Sequence, residues 1–166
     1  MKKITLALLC VCTLASIAFA GSKNAAAGRS LSEKFGVGFN SSVQDLPALA
    51  VRYWLIDVAG IEGFLGFKID DNHANKNRYV VGGKFLYVIK SYKKLNVFSI
   101  ASLALHRENK TFGIISGGLG IEWFVLDDLS LCTEAGLSFS AGGAGGTTSL
   151  KTNVENIPKI SVKYYL

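Results

Sequence analysis

Apolar and polar residues alternate along most of the chain between Phe35 and the carboxyl terminus. Eight segments with this pattern are rich in Val, Ile, Phe, Tyr and Leu, and each ends in residues that favour turns. None of them repeats its apolar residues at the 3.6-residue period of an amphipathic helix. The pattern therefore predicts eight strands: Phe35–Asn40, Ala48–Asp57, Ile61–Asp70, Arg78–Ile89, Leu95–His106, Thr111–Phe124, Leu129–Ser140 and Ile157–Leu166.

The connections between these segments alternate in length. Those after the second, fourth and sixth segments are tight, whereas "SSVQDLP", "DNHANKN", "RENK" and the run over 141–157 are longer or more polar. An even strand number with short turns at one end and longer loops at the other is the plan of a bacterial outer-membrane barrel. The predicted fold is all-β: an eight-stranded antiparallel up-and-down transmembrane barrel over 35–166, with both ends on the periplasmic side. The run over 141–157 contains "AGGAGG" and is predicted to be a flexible outer loop.

The two faces of the segments separate a membrane barrel from a soluble one. A membrane barrel turns apolar residues toward lipid and polar or small residues inward, and a soluble lipocalin-like barrel reverses this. In the third, sixth, seventh and eighth segments, large apolar residues share one face and glycine, serine and isolated charges share the other; the fifth segment assigns no face. The aromatic residues on the apolar face near strand ends suit interfacial girdles: Tyr79, Trp123, Phe139 and Tyr164. The faces favour the membrane barrel, and a soluble periplasmic lipocalin-like barrel that binds a small apolar ligand is the alternative.

Charged residues fall on the face that would line the barrel interior: Arg52, Glu62, Lys68, Lys84, Glu122, Glu134, Lys159 and Lys163. Unpaired charges in a narrow interior are strongly destabilising, so these side chains are expected to pair or to hold water. We expect Lys159 and Lys163 to reach toward Glu134 on the neighbouring strand. An eight-stranded barrel is only wide enough for its own side chains, so the interior is predicted to be filled and not an open pore.

The amino-terminal residues follow a different pattern. Residues 1–20 begin with two lysines, continue as an apolar stretch and end in Ala-Phe-Ala, which is typical of a cleavable secretory signal peptide. The stretch is shorter than a membrane-spanning helix needs. Residues 21–34 are predicted to be a short periplasmic segment. The net charge is +6 without a clustered basic stripe, so no nucleic-acid binding is predicted.

Two further sequence features do not predict a metal or cofactor site, and no catalytic site is predicted. Asp70, Asp71 and His73 lie close in sequence but lack the spacing of a calcium or zinc site. The "AGGAGG" run has no following Lys-Ser or Lys-Thr, as a phosphate-binding loop would.

With these features, the chain resembles the small eight-stranded outer-membrane β-barrel proteins, a family that includes the OmpA transmembrane domain, OmpX and the outer-membrane β-barrel domain proteins. The resemblance covers Phe35–Leu166, and its most specific piece is the final "KISVKYYL". Family members tend to end with a polar residue, a glycine two positions later, and hydrophobic or aromatic residues at the third-last and last positions. These places are held here by Lys159, Ser161, Tyr164 and Leu166, with Ser for the usual Gly and Leu for the usual Phe or Trp. The resemblance implies that the barrel-assembly machinery reads this end.

A lipid A-modifying outer-membrane enzyme is the second alternative. Resemblance to a lipid A deacylase would require a serine closely following a histidine at the outer rim. His106 is instead followed by Arg107 and Glu108, and His73 lies in a polar loop. We therefore predict a protein that is not an enzyme.

Basic residues near the outer rim are candidates for contact with lipopolysaccharide: Lys76, Arg78, Arg107, Lys110 and Lys151. Pairing of cations with phosphate is the physical basis for this expectation, and simple solubility of polar loops is the other interpretation. The predicted protein is thus a monomeric outer-membrane barrel with a structural or surface-interaction role, no cofactor, and lipid, lipopolysaccharide and the assembly machinery as partners.

Overall fold

A computed structural model describes residues 30–43, 46–68, 77–107, 110–142, 147–152 and 159–166. The predicted signal peptide and most of the segment 21–34 lie outside these residues. Within the described part of the chain, no helix is long and apolar enough to cross a membrane. The strands are β1 Phe35–Val43, β2 Leu46–Ile56, β3 Ala59–Lys68, β4 Arg78–Tyr92, β5 Leu95–Arg107, β6 Thr111–Phe124, β7 Leu129–Gly142, β8 Thr147–Thr152 and β9 Lys159–Tyr165.

The sheet closes into a barrel because the last strand pairs with the first. From β1 to β7 each strand is antiparallel to the next, and β9 joins β7 on one side and β1 on the other. Two strands, β8 and β9, together occupy the eighth strand position of the barrel. β8 pairs with Leu137–Gly142 of β7, and β9 pairs with Leu129–Glu134 of the same strand. The prediction of a closed eight-stranded antiparallel up-and-down barrel is confirmed.

Several strand limits differ from those predicted. β1 and β2 extend until only residues 44–45 separate them, where we expected the longer "SSVQDLP" loop, and Val43 pairs with Leu46. Residues 147–152, predicted as part of a flexible loop, form β8. Pairing with a neighbouring strand satisfies backbone N–H and C=O groups that a loop would leave to solvent, and this outweighs the polar composition of both stretches.

The outward face of the barrel is apolar. Large side chains alternate outward along the strands, as the burial pattern of β2 illustrates, and Leu103 at the middle of the wall is 65% exposed. β5, which the sequence left without a face, turns Leu103 and Leu105 outward and Phe98 inward. The aromatic residues Tyr79, Trp123 and Tyr164 are also exposed on this face.

The inward face forms three layers between the two ends of the barrel. We call the end with the β2–β3, β4–β5 and β6–β7 connections the turn end, and the opposite end the loop end. An apolar layer fills the turn end: Leu31, Trp54, Leu86, Val88, Phe98, Phe124, Cys132 and Tyr165. A second apolar group lies toward the loop end: Leu46, Ala48, Ala50, Phe64 and Val80. Charged side chains occupy the layer between them.

The segment before β1 closes the turn end. Leu31 is only 1% exposed and packs in the apolar layer of that end. The Asp57 carboxylate, in the β2–β3 turn, accepts hydrogen bonds from the Ser30 hydroxyl (2.9 Å) and from the backbone N–H groups of Leu31 (2.8 Å) and Ser32 (2.9 Å). Glu33, with a φ of 64°, donates its backbone N–H to the Trp54 carbonyl. Residues 30–34 are therefore part of the barrel structure, which the sequence did not reveal.

Candidate functional site: the charged interior

Six charged side chains are buried in the middle layer, and we call them the interior charge cluster: Arg52, Glu62, Lys84, Glu122, Glu134 and Lys163. Each is brought inward by the two-residue alternation of its strand, and each lies directly on the loop side of the apolar layer. The six come from β2, β3, β4, β6, β7 and β9. Because three are basic and three acidic, the cluster is electrically balanced.

Arg52 lies at the centre of the cluster. Its Nη2 is 2.7 Å from Glu62 Oε2, its Nε donates to the same oxygen at 2.8 Å, and its Nη1 donates to Glu122 Oε1 at 3.1 Å. The guanidinium also lies over the rings of Trp54 and Phe98, 5.9 and 5.5 Å from their centroids. A planar guanidinium can contact several carboxylates and an aromatic ring at once, which a lysine ammonium cannot do with the same geometry.

The two lysines share the Glu62 carboxylate and differ in their second partner. Lys84 Nζ donates to both oxygens of Glu134, at 2.8 and 2.9 Å, and lies 3.0 Å from Glu62 Oε1. Lys163 Nζ lies 3.2 Å from Glu62 Oε2 and donates to Asn40 Oδ1 at 2.8 Å. The expected contact from Lys163 to Glu134 is thus replaced by one to Glu62. The physical reason is Gly38 on β1, whose missing side chain leaves space that the Lys163 side chain occupies.

Hydrogen bonds connect the apolar layer at the turn end to the interior charge cluster. The Tyr165 hydroxyl donates to Glu122 Oε1 at 2.8 Å and accepts from Trp54 Nε1 at 3.2 Å. Ser130 Oγ donates to the same Glu122 oxygen at 2.7 Å. Sequence reasoning did not single out Tyr165, Ser130 or Asn40, although the alternation that turns Lys163 inward also turns Tyr165 inward.

Two predicted members of the interior set lie apart from the cluster. Lys68 is exposed, because it is the last residue of β3 and extends past the packed interior, so its prediction as part of a buried network is wrong. Lys159 is half-buried, lies opposite Glu134 in the strand register, and lines a cavity of about 30 Å³ with Ser102 and Ser116. A cavity of that volume is large enough to hold water.

The predicted outer-rim residues lie at the loop end where they are described. Arg107 is exposed and donates to the Tyr79 hydroxyl at 3.2 Å, Arg78 is half-buried, and Lys110 is exposed. Lys151 belongs to β8, and Lys76 lies outside the described residues.

His106 is the histidine that the described residues include. His106 is half-buried on the inward face of β5, opposite Val80 on β4 and Phe112 on β6. His73 lies outside the described residues. Among those residues, no group of three or more His, Cys, Asp or Glu side chains is arranged to hold a metal ion.

The predicted carboxyl-terminal signal lies on both faces of β9. Lys159 and Ser161 point inward, and Tyr164 and Leu166 point outward and are exposed. The pairing of β1 with β9 closes the barrel, and we call it the closing seam. The backbone N–H of Leu166 donates to the Phe35 carbonyl at 2.8 Å and completes this seam at the turn end.

Comparison with known proteins supports the fold. No protein-family model and no curated protein sequence matches this chain. Among solved structures, it is similar to the crystal structure of the N-terminal β-barrel domain of Pseudomonas aeruginosa OprF, with a TM-score of 0.56 and 13% sequence identity. The likeness covers 83% of this chain and 100% of that one. At this identity the likeness shows the fold alone, and at that level it supports the resemblance to the small outer-membrane barrels.

Proposed function

We propose that this chain is an integral outer-membrane barrel with a closed interior, which has a structural or surface-interaction role and is neither an enzyme nor an open pore. One observation carries the proposal: the barrel is apolar outside and charged inside. Soluble monomers rarely expose a continuous apolar surface of more than a few hundred Å². Here the apolar side chains that face outward belong to every strand from β1 to β7 and to β9.

The lipocalin-like alternative is disfavoured by the same distribution. A carrier of a small apolar ligand needs an apolar cavity, and ligand pockets typically measure about 300 Å³ or more. The cavity beside Lys84 and Glu134 measures about 30 Å³ and is bordered by charged and hydroxyl side chains. We infer that the interior of the barrel is filled by its own side chains and not by a ligand.

The lipid A-modifying alternative has no supporting observation. Acyl transfer needs a nucleophile within hydrogen-bonding reach of its base. In the strand register, His106 lies opposite Val80 and Phe112, and neither of these two residues is a nucleophile.

A pair of leucine substitutions tests the membrane location. Leu103 in the wall and Leu126 in the β6–β7 turn are almost equally exposed, at 65% and 63%. An arginine on the lipid face near the bilayer midplane destabilises a barrel by about 2–4 kcal/mol, and one near the interface by about 0–1 kcal/mol. We expect Leu103→Arg to reduce the amount of assembled barrel and Leu126→Arg to leave it near the wild-type level.

The measurement combines cell fractionation with gel mobility of unboiled and boiled samples. We expect wild-type protein in the outer-membrane fraction with heat-dependent mobility. Recovery in the soluble periplasm, or equal tolerance of the two arginines, would contradict the proposal.

A further inference from the structure

A β-bulge near the turn end places a lysine on the apolar outward face of the barrel. In the β4–β5 register, Val88 is opposite Phe98, and both are buried in the apolar layer. Lys90 is opposite Val97, which leaves Ile89 as an extra residue on β4. Unbroken alternation from Val88 would turn Lys90 inward as well. The bulge reverses the alternation, so that Lys90 is exposed beside Val97 on the outward face.

The side chain of Lys90 combines apolar neighbours with an aromatic contact. Across the strands, its neighbours on the outward face are Val97 on β5 and the exposed Ile121 on β6. Its Nζ lies 5.2 Å from the centroid of the Tyr92 ring, and Tyr92 lies two residues closer to the tip of the β4–β5 hairpin. A lysine whose aliphatic part lies along apolar surface extends its ammonium toward the polar layer. Contact with the Tyr92 ring orients the Lys90 ammonium in that direction.

Exposed aromatic side chains surround this position on the outward face. Tyr92 is opposite Leu95 in the register, and Leu95 is opposite Trp123. Tyr92 and Trp123 are both exposed. In membrane barrels, tyrosine and tryptophan gather at the two interfaces, where their rings lie at the level of the lipid headgroups. The Lys90 ammonium is therefore held at the depth at which phospholipid phosphate groups lie.

The positive charge of the hairpin is not offset within the hairpin itself. Residues 89–95 include three lysines and no acidic residue. In the β2–β3 turn, the Asp57 carboxylate is bonded to the segment before β1. The β6–β7 turn carries Asp127 and Asp128, and β5 lies between Lys90 and that turn. Residues 1–29, which precede the described part of the chain, contain no Asp or Glu. An anion from outside the chain would therefore complement the charge of the hairpin.

We propose that the β4–β5 hairpin binds the phosphate group of an anionic phospholipid in the periplasmic leaflet of the outer membrane. The inference rests on the proposed function, because that function places the turn end at this leaflet. Lys90 donates charge-assisted hydrogen bonds to the phosphate from the lipid-facing side. Lys94, whose carbonyl accepts the backbone N–H of Phe124 at 2.8 Å, adds a second positive charge at the tip.

The test uses the purified full-length protein in micelles of an uncharged detergent. The midpoint temperature of the heat-dependent mobility change is measured against increasing phosphatidylglycerol, phosphatidylcholine and inorganic phosphate. A lipid that binds only the folded barrel stabilises it in proportion to its affinity. We expect phosphatidylglycerol to raise the midpoint above its value in the same amount of phosphatidylcholine, and inorganic phosphate to leave it unchanged.

Two single substitutions that remove one exposed lysine each provide the matched comparison. Lys90→Gln changes the proposed site, and Lys68→Gln changes an exposed strand residue at the loop end. Lys90→Gln should raise the phosphatidylglycerol concentration needed for half the shift by about fivefold, and Lys68→Gln should respond as wild type does. Lys90→Arg keeps the charge and should also respond as wild type does. Lys94→Gln, in the turn, replaces Lys90→Gln if the latter does not form a barrel.

Equal responses of Lys90→Gln and Lys68→Gln would overturn the inference, as would equal stabilisation by phosphatidylcholine. An effect of inorganic phosphate equal to that of phosphatidylglycerol would assign the site to free phosphate and also overturn it. Fractionation measures the membrane location separately. A barrel that responds to phosphatidylglycerol in micelles but is absent from the outer membrane would therefore reject only the proposed function.

Discussion

At the scale of single residues, Arg52 holds the most consequential position. It is fully buried and contacts Glu62 and Glu122 directly. A buried ion pair adds little net stability relative to apolar packing, but removal of one partner leaves a charge without compensation. The consequence of losing Arg52 is therefore much larger than the favourable contribution of its contacts.

We expect Arg52→Met to destabilise the folded barrel by about 3–5 kcal/mol, because Glu62 and Glu122 would lose their shared cation in the interior. The midpoint of urea-induced unfolding in lipid vesicles measures this effect. Lys93→Met, an exposed turn substitution, is the control and should leave the midpoint unchanged. An Arg52→Met barrel as stable as the control would show that the cluster does not depend on this residue.

Asp57 gives the turn end a dependence on pH. The hydrogen bonds from Ser32, Ser30 and Leu31 hold the pKa of the Asp57 carboxyl below its ordinary value, against the opposing effect of desolvation. A group whose pKa is lower in the folded state stabilises that state above its unfolded pKa, and the contribution is lost as pH falls through the folded pKa.

We expect amide-exchange protection of Leu31 and Ser32, measured relative to the intrinsic rates at each pH, to fall when the solution is acidified through that range. Asp57→Ala should reduce the protection already at neutral pH, since the acceptor of three hydrogen bonds is removed. Asp127→Ala, in the β6–β7 turn, is the matched control and should retain it. Protection that is the same in all three proteins would argue against the role of Asp57.

The sequence predicted which face of the barrel wall a side chain lies on more readily than which side chains it contacts. Two-residue alternation is sufficient to turn Arg52 and Glu122 toward one side of the wall, because it depends only on local backbone geometry. The contact of Lys163 with Glu62 depends on the space that Gly38 leaves, and Gly38 belongs to a different strand. Leu31 lies before the first strand, and no periodic pattern marks it as part of the apolar layer.

At the scale of elements, β6 and β7 approach each other through paired glycines. Gly118 lies opposite Gly136 in the register, and both face inward. A methyl group built on Gly118 would meet the carbonyl oxygen of Ala135, which belongs to the backbone and has little freedom to move. Gly63 on β3 faces outward, and a methyl group there has no atom within 4 Å.

These two glycines offer a matched test of strand packing. Gly118→Ala should destabilise the barrel by about 1–3 kcal/mol through overpacking. Gly63→Ala should stabilise it by about 0.5–1 kcal/mol, because alanine loses less conformational entropy in a strand. Both are measured by urea unfolding in vesicles. Similar midpoints for the two variants would mean that β6 and β7 are not packed as closely as described.

The closing seam predicts the effect of shortening β9. Tyr165 is buried and bonded to Glu122 and Trp54, and Leu166 donates to Phe35. Deletion of residues 165–166 should therefore strongly reduce the fraction of protein with heat-dependent mobility. Tyr165→Ala keeps the chain length and separates loss of packing from loss of the chain end. Wild-type levels of assembled barrel after the deletion would count against the seam.

The sequence predicted the existence and type of the barrel strands better than their limits. Long alternating runs such as Thr111–Phe124 have the same bounds in the structure. β8 was missed because Thr147–Thr152 is short and follows a glycine-rich run, and its pairing with β7 is a tertiary contact that local pattern does not encode. The same reason explains why β1 and β2 extend beyond their predicted ends.

At the scale of the whole molecule, the three interior layers lead us to expect a barrel that does not conduct. The apolar layer at the turn end includes Leu31, and the charge cluster fills the middle. In planar bilayers, we expect the purified barrel to give no stable conductance above a detergent-only control. Reproducible, ion-selective openings of large conductance would contradict a filled interior.

The β1–β9 seam also brings the two described ends of the chain together at the turn end. The backbone N–H of Leu166 donates to the Phe35 carbonyl. Ser30 and Leu31 lie beside the neighbouring β2–β3 turn, where both donate to Asp57. Chains whose ends are close in space tolerate circular permutation. A permuted barrel, with these ends joined by a short linker and new termini opened in the β5–β6 connection, would retain the full set of strand pairs. The barrel architecture would then depend on which strands pair with each other and not on the position in the chain at which the sequence begins.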